Sequence, residues 1–174
     1  MCVESYPQQV LKFCPRCGKG HFVPYNDKAN KCDTCGFIFY FNAATAVAVI
    51  LKDAENRVLL TTRAFNPGKG TLDLPGGFVD PLESAEHAID REIKEELNLT
   101  ITEKKYLGSF PNTYLYGDVV YFTCDLVFEC KVETFDGLQA KDDVTHCDFF
   151  TVTEELLENV GATSIKNILR HYFL

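Results

Sequence analysis

At 174 residues and 46% hydrophobic positions, the chain holds enough apolar material for one globular core and a small appendage, and too little for two full domains. Its formal net charge of -8 argues against a general nucleic-acid binder, which needs clustered Lys and Arg. The same balance suits a metal-dependent site, where a divalent cation bridges carboxylates to a phosphorylated substrate.

Met1 to Gln9 has neither a basic start nor an apolar stretch, so no export signal is expected. The longest apolar run, Ala43 to Leu51, is too short to span a bilayer. A soluble, cytoplasmic protein with no membrane partner is expected. Four of the eight cysteines form two tight pairs, Cys14/Cys17 and Cys32/Cys35, each separated by two residues and followed by glycine. That doubled pattern supplies four soft ligands for a closed, structural Zn²⁺ site. Four protein thiolates leave no position for water, so this zinc does no chemistry. Residues 1–40 are therefore read as a zinc ribbon, with Gly18 to Lys31 too polar to build its own core and regular strands starting after it. Lys12, Arg16, Lys19, Lys28 and Lys31 only slightly outnumber the acids there, which disfavours nucleic acid as a partner. The remaining cysteines, Cys2, Cys124, Cys130 and Cys147, are scattered and read as free thiols in a reducing compartment.

Residues 41–174 form the second module. Ala43 to Lys52 and Arg57 to Arg63 read as strands around the turn Asp53-Ala54-Glu55-Asn56. A short strand near Leu72 to Leu74 lies between the breakers Asn66-Pro67-Gly68 and Pro75-Gly76-Gly77. Ser84 is positioned to cap a helix reaching about Leu97. Its residues Ile89, Ile93 and Leu97 make a buried stripe, and Glu92, Glu95 and Glu96, three and four apart, share another face. A solvated surface helix would intersperse lysines among those glutamates, whereas Lys94 is placed to pair with Asp90 elsewhere. A hard cation, Mg²⁺ or Mn²⁺, would relieve the repulsion. Strands are predicted near Lys104 to Phe110, Val119 to Val132 and Cys147 to Val152, with Phe110 to Asp118 as an aromatic-rich loop between the first two. Two short helices follow, from a Thr153 cap to Gly161 and from Ser164 onward. The second carries Ile165, Ile168, Leu169 and Tyr172 as a core-facing stripe.

The run from Gly77 through Glu83, Arg91, Glu92, Ile93, Glu95 and Glu96 to Leu99 resembles the Nudix box. One position departs: Asn98 stands where the family has glycine, and Asn is the next best residue for a left-handed backbone. The resemblance implies an α/β fold, an α/β/α sandwich with a mixed sheet. It implies a Mg²⁺- or Mn²⁺-dependent hydrolase of nucleoside diphosphates linked to another group, with a small-molecule nucleotide as substrate. By the same resemblance, Glu92, Glu95, Glu96 and the Gly76 carbonyl are metal ligands, Arg91 orients Glu92, and Glu83 supports the metal shell. The general base is left open among Glu92, Asp142 and Asp143, the last two in a polar segment that reads equally well as a solvated loop. Tyr114 and Tyr116 are candidates for stacking on a base.

A zinc ribbon ahead of such a domain resembles the NADH pyrophosphatase arrangement. That group carries a tryptophan-bearing Ser-Gln-Pro-Trp-Pro-Phe-Pro motif after the box, whereas this chain has Gly108-Ser109-Phe110-Pro111-Asn112-Thr113-Tyr114 and no tryptophan. ADP-ribose or a related nucleoside diphosphate sugar is thus the expected substrate, with NADH or NAD as the alternative. Two other classes of function compete with this reading: a catalytically silent nucleotide sensor, opposed by the intact Arg91, Glu92, Glu95 and Glu96 set, and a zinc-dependent nucleic-acid adaptor, opposed by the acidic balance. A homodimer is left open.

Overall fold

A computed structural model describes residues 5–174. Cys2 lies outside the described residues, as does the start of the stretch read for an export signal. The chain forms two compact units: the described residues up to Ala43 together with Thr113–Phe122, and Ala44–Asn112 together with Thr123–Leu174.

The first unit opens with a one-turn helix, α1 (Pro7–Val10), followed by β1 (Phe22–Asn26), β2 (Ala29–Cys32) and β3 (Ile38–Tyr40) in an antiparallel sheet of that order. The expectation that regular strands begin only after the stretch Gly18 to Lys31 is therefore corrected, since β1 and β2 start within it. These strands are short, and four of the five β1 residues are exposed, so they show no apolar alternation. Their core is Phe22 packed with Cys14 and Cys32, and with Cys17, Cys35 and Phe37 at its margin. The hairpin β1–β2 turns where the Asn26 side chain accepts a bond from the Lys28 N–H, an Asx turn. Buried Asn30 donates to the Gln8 carbonyl and so ties α1 to β2.

The second unit contains β4 (Ala44–Ile50), β5 (Val58–Arg63), β6 (Leu72–Asp73), α2 (Ala85–Leu97), most of β7 (Ile101–Tyr116) and β8 (Val119–Val132), then β9 (Val144–Phe150), α3 (Glu154–Glu158) and α4 (Thr163–Phe173). One sheet has the order β4-β8-β7, with β4 and β8 parallel; the other has the order β6-β5-β9 and is antiparallel. Alternation along β4 divides the core in two. Ala48 and Ile50 pack with Ile165, Ile168 and Leu169 of α4, while Val47, Val49 and Leu51 pack with Ala88, Ile89, Ile93 and Leu97 of α2. Helices thus cover both sides of mixed sheet structure, the expected α/β/α sandwich.

The helix ends follow their cap residues. Ser84 accepts from the His87 N–H, Thr153 accepts from the Leu156 N–H, and Asn98 closes α2 in the left-handed region at φ 58°. Three expectations change. Lys94 is not the partner of Asp90; Lys104 reaches it from β7 at 2.7 Å. The last strand lies at Val144–Phe150 rather than Cys147 to Val152. Phe110 to Asp118 is no loop: β7 continues to Tyr116 and meets β8 through Gly117 and Asp118, both at positive φ, the two-residue turn whose twist matches a hairpin. Pro111 is tolerated because β7 is an edge strand.

Candidate functional site

The glycines before α2 fix its carboxylates against the sheet. Pro75 to Gly77 runs beside β4: the Val49 N–H donates to the Pro75 carbonyl at 2.9 Å and the Val47 N–H to the Gly77 carbonyl at 2.8 Å. Gly76 sits at φ +134°, and a Cβ there would collide with the Val47 carbonyl oxygen. A Cβ on Gly77 would collide with the Glu92 carboxylate instead. This close approach lets the Gly76 N–H donate to Glu96 Oε2 at 3.0 Å.

Arg91 organises the outer carboxylates. It grips Glu83 with two N–H groups at 3.0 and 2.8 Å, donates to Glu92 at 2.7 Å and to Glu95 at 3.3 Å, and donates to the Phe78 carbonyl. Its bonds, followed by the Asp80 N–H, hold the Glu83 carboxyl down at about 2. Glu96 is the opposite case. Burial pushes its carboxyl up to about 9 against the Gly76 N–H, and Asp143 and Glu92 add to the rise. Burial also raises Glu92, which Arg91 counters and Glu95 and Asp143 reinforce. The donor set, hard oxygens around a surplus of negative charge, fits a divalent cation such as Mg²⁺ or Mn²⁺.

Asp143 therefore stands against Glu96, and the two share a small pocket with Gly76, Thr61, Arg63, Asp73, Leu74 and Val144. Asp142 precedes it at φ 53° in the turn from Lys141 to Val144, exposed to solvent, and does not line that pocket. Tyr114 and Tyr116 belong to the other compact unit, where their rings stack on each other at 6.4 Å. The reading from sequence missed Arg63 and Asp73, joined at 2.9 Å, with the Asp73 carboxyl pushed to about 6 by burial despite Arg63. Arg63 ends an apolar strand and Asp73 precedes Leu74-Pro75-Gly76, but only the β5–β6 pairing brings them together.

In the first unit the Sγ atoms of Cys14, Cys17, Cys32 and Cys35 all lie within 4.8 Å of one another. Among the described residues this is the one Cys, His or carboxylate cluster so tight. The two knuckles match: Gly18 at φ 69° bonds the Cys14 carbonyl, and Gly36 at φ 72° bonds the Cys32 carbonyl. The Cys35 backbone N–H draws the Cys32 thiol down to about 6 against burial. Cys17 is pushed up to about 11 in spite of the Lys19 N–H, by burial and the neighbouring sulfurs. Four cysteine sulfurs this close offer the donor set of a closed site, and four soft sulfur ligands fit Zn²⁺.

Residues 42–172 match the model of the NUDIX domain. The chain belongs to the NUDIX family. It is a Nudix hydrolase, a pyrophosphohydrolase by family, and a nucleotide-type substrate follows from that membership. It is 38% identical over 122 residues to the "ADP-ribose pyrophosphatase" of Methanocaldococcus jannaschii, covering 69% of each chain. It is 27% identical over 164 residues to the "NAD-capped RNA hydrolase NudC" of Deinococcus radiodurans, covering 90% of this chain and 59% of that protein. The chain spans about half the length of the NudC relatives it matches. A crystal structure of a NUDIX hydrolase from Nitrosomonas europaea superposes with a TM-score of 0.67 at 25% identity, covering 94% of this chain and 90% of that one. No helix among the described residues of this Nudix hydrolase is long and apolar enough to cross a membrane.

Proposed function

We propose that the chain hydrolyses the pyrophosphate bond of ADP-ribose or a related nucleoside diphosphate sugar. The observation that carries this reading is the similarity to the Methanocaldococcus jannaschii ADP-ribose pyrophosphatase, 38% against 27% for the Deinococcus radiodurans NudC. The missing tryptophan motif in β7 supports it.

In this reading Glu92, Glu95, Glu96 and the Gly76 carbonyl hold Mg²⁺ or Mn²⁺. Such an ion neutralises phosphate charge and acidifies a bound water. Arg91 opposes the effect of burial on the Glu92 carboxyl and points it by a 2.7 Å bond, and its bidentate grip on Glu83 fixes its own position. Gly76 N–H orients one oxygen of Glu96 and leaves the other toward the pocket side it shares with Asp143. Asp143, rather than Asp142, is then the loop carboxylate placed to accept the water proton, with Glu92 as the other candidate base. The four cysteines hold Zn²⁺ as a structural ion.

A second reading, hydrolysis of NAD-type dinucleotides, is favoured by one observation. The Deinococcus radiodurans match covers 90% of the chain, so it reaches into the segment before residue 42 that holds the cysteines. The test is kcat/KM for ADP-ribose, UDP-glucose, diadenosine polyphosphates and NADH under identical Mg²⁺. ADP-ribose is expected to be best. NADH ahead by tenfold, about 1.4 kcal/mol of transition-state preference, overturns the choice.

A further inference from the structure

Asp125 is a buried acid that neither the carboxylate helix nor the cores explain. It is 6% exposed in β8, and its neighbour Thr123 is 5% exposed. The Thr123 hydroxyl donates to Asp125 Oδ1 at 2.8 Å. Among the described residues, no Lys, Arg or His lies within ion-pair distance of it; Arg63 pairs with Asp73 instead. The hydroxyl occupies one oxygen of the carboxylate, and the other, which is not among the buried unpaired atoms, keeps its acceptor capacity at the surface.

Strand register fixes where that capacity points. Val127 pairs beside Ala48, and both belong to the α4-side core, so Asp125 and Thr123, at steps of two, face the same side. Their partners on β4 are Ala46 and Ala44, both only half-buried. Two small, partly open residues thus flank the acid where the row runs out beyond the packed core. Ala46 also bridges to Phe78, directly after Gly76 and Gly77. Across the sheet, Asp125 is therefore one strand from the segment that carries the proposed metal-binding carbonyl. The Asp73 carboxyl, raised chiefly by burial, also registers the charge of Asp125.

We propose that Asp125 is a specificity residue whose carboxylate accepts hydrogen bonds from the vicinal hydroxyls of a ribose in the substrate. This rests on the nucleoside diphosphate reading above. The pyrophosphate itself carries no donor, and the ribose hydroxyls are the donors nearest to it in such a molecule. An acceptor-only group with one oxygen on Thr123 and the other open suits a diol.

The test is steady-state hydrolysis of ADP-ribose and two analogues, one lacking the 2′-hydroxyl on the adenosine ribose and one lacking a hydroxyl on the terminal ribose. Each is given to wild type, Asp125→Asn and Asp125→Ala, with circular dichroism to verify folding. The isosteric Asn variant keeps the test valid if the Ala variant does not fold. Hydrogen bonds to charged groups are worth ten- to a hundredfold in such discrimination, on the order of 1.5–3 kcal/mol. Wild type is expected to prefer ADP-ribose over one analogue by tenfold or more, mainly through KM, and which analogue identifies the ribose. In Asp125→Asn the preference should fall below threefold. A wild-type preference near one for both analogues, or a preference retained in the folded variants, overturns the proposal alone. Failure of wild type to hydrolyse all three overturns it together with the substrate reading.

Discussion

Gly76 and Gly77 are adjacent, yet a methyl group on each would meet different obstacles. At Gly76 the obstacle is the Val47 backbone, and φ is +134°, so neither the neighbour nor the residue can yield. Gly76→Ala is expected to lower stability by about 1–3 kcal/mol in denaturant titration. At Gly77 the obstacle is the end of the Glu92 side chain, which can swing away. Gly77→Ala should therefore melt within a few degrees of wild type while losing at least tenfold in turnover. Equal stability losses in both variants would contradict this division. Glu83 adds a pH dependence. Its folded carboxyl, held near 2 by Arg91, lies below its ordinary value, so the pair stabilises the fold above about pH 4.5, and that contribution disappears as pH falls towards 2. The stability gap between wild type and Glu83→Gln should be open at pH 7 and close on acidification; a gap constant with pH would refute the linkage.

At the scale of elements, α2 is defined at both ends by single residues. Ser84→Ala removes the bond to the His87 N–H and should cost about 1 kcal/mol. Asn98→Ala places a Cβ-bearing residue without a local polar contact at φ 58° and removes the bond to the Gly137 carbonyl, for a loss of about 1–2 kcal/mol. Thermal melts of both variants check these values. This helix was legible in the sequence because its signals are local: a cap, a periodic apolar stripe and a left-handed terminus. So were the last two helices, and Ile165, Ile168 and Leu169 are buried as their spacing predicts. The ribbon strands were not legible, since cysteine sulfurs rather than alternating side chains form their core. The true length of β7 was hidden by Pro111, which reads as a breaker until the strand is known to lie at an edge. The placement of Asp143 beside Glu96, and of Arg63 beside Asp73, depends on pairings of β5 with β6 and β9. No local pattern distinguishes Asp143 from Asp142 or marks Arg63.

At the scale of the whole molecule, the two compact units rest on different chemistry. The second has apolar cores on both sides of β4, and Ile168→Ala at its centre should cost about 2–5 kcal/mol. The first has a small core, Phe22 and the cysteines with Phe37 at its edge, and otherwise buries only small apolar residues such as Ala29 and Val120, so the proposed zinc is expected to supply much of its folding energy, on the order of 10–16 kcal/mol in small zinc modules. Purified protein should contain one zinc per chain, and Cys14→Ser should lose it along with stability; a metal-free, fully folded ribbon would contradict that. In the proposed function, catalysis rests on a divalent cation held by the glutamates of α2, and that role is open to experiment. It is tested most directly by the Mg²⁺-dependent release of AMP from ADP-ribose by wild type and by Glu96→Gln, with circular dichroism on both. Release by the wild type is expected only when Mg²⁺ or Mn²⁺ is present, with a fall of about a hundredfold or more, close to 3 kcal/mol, in a variant that remains folded. Near-normal turnover in folded Glu96→Gln would contradict it.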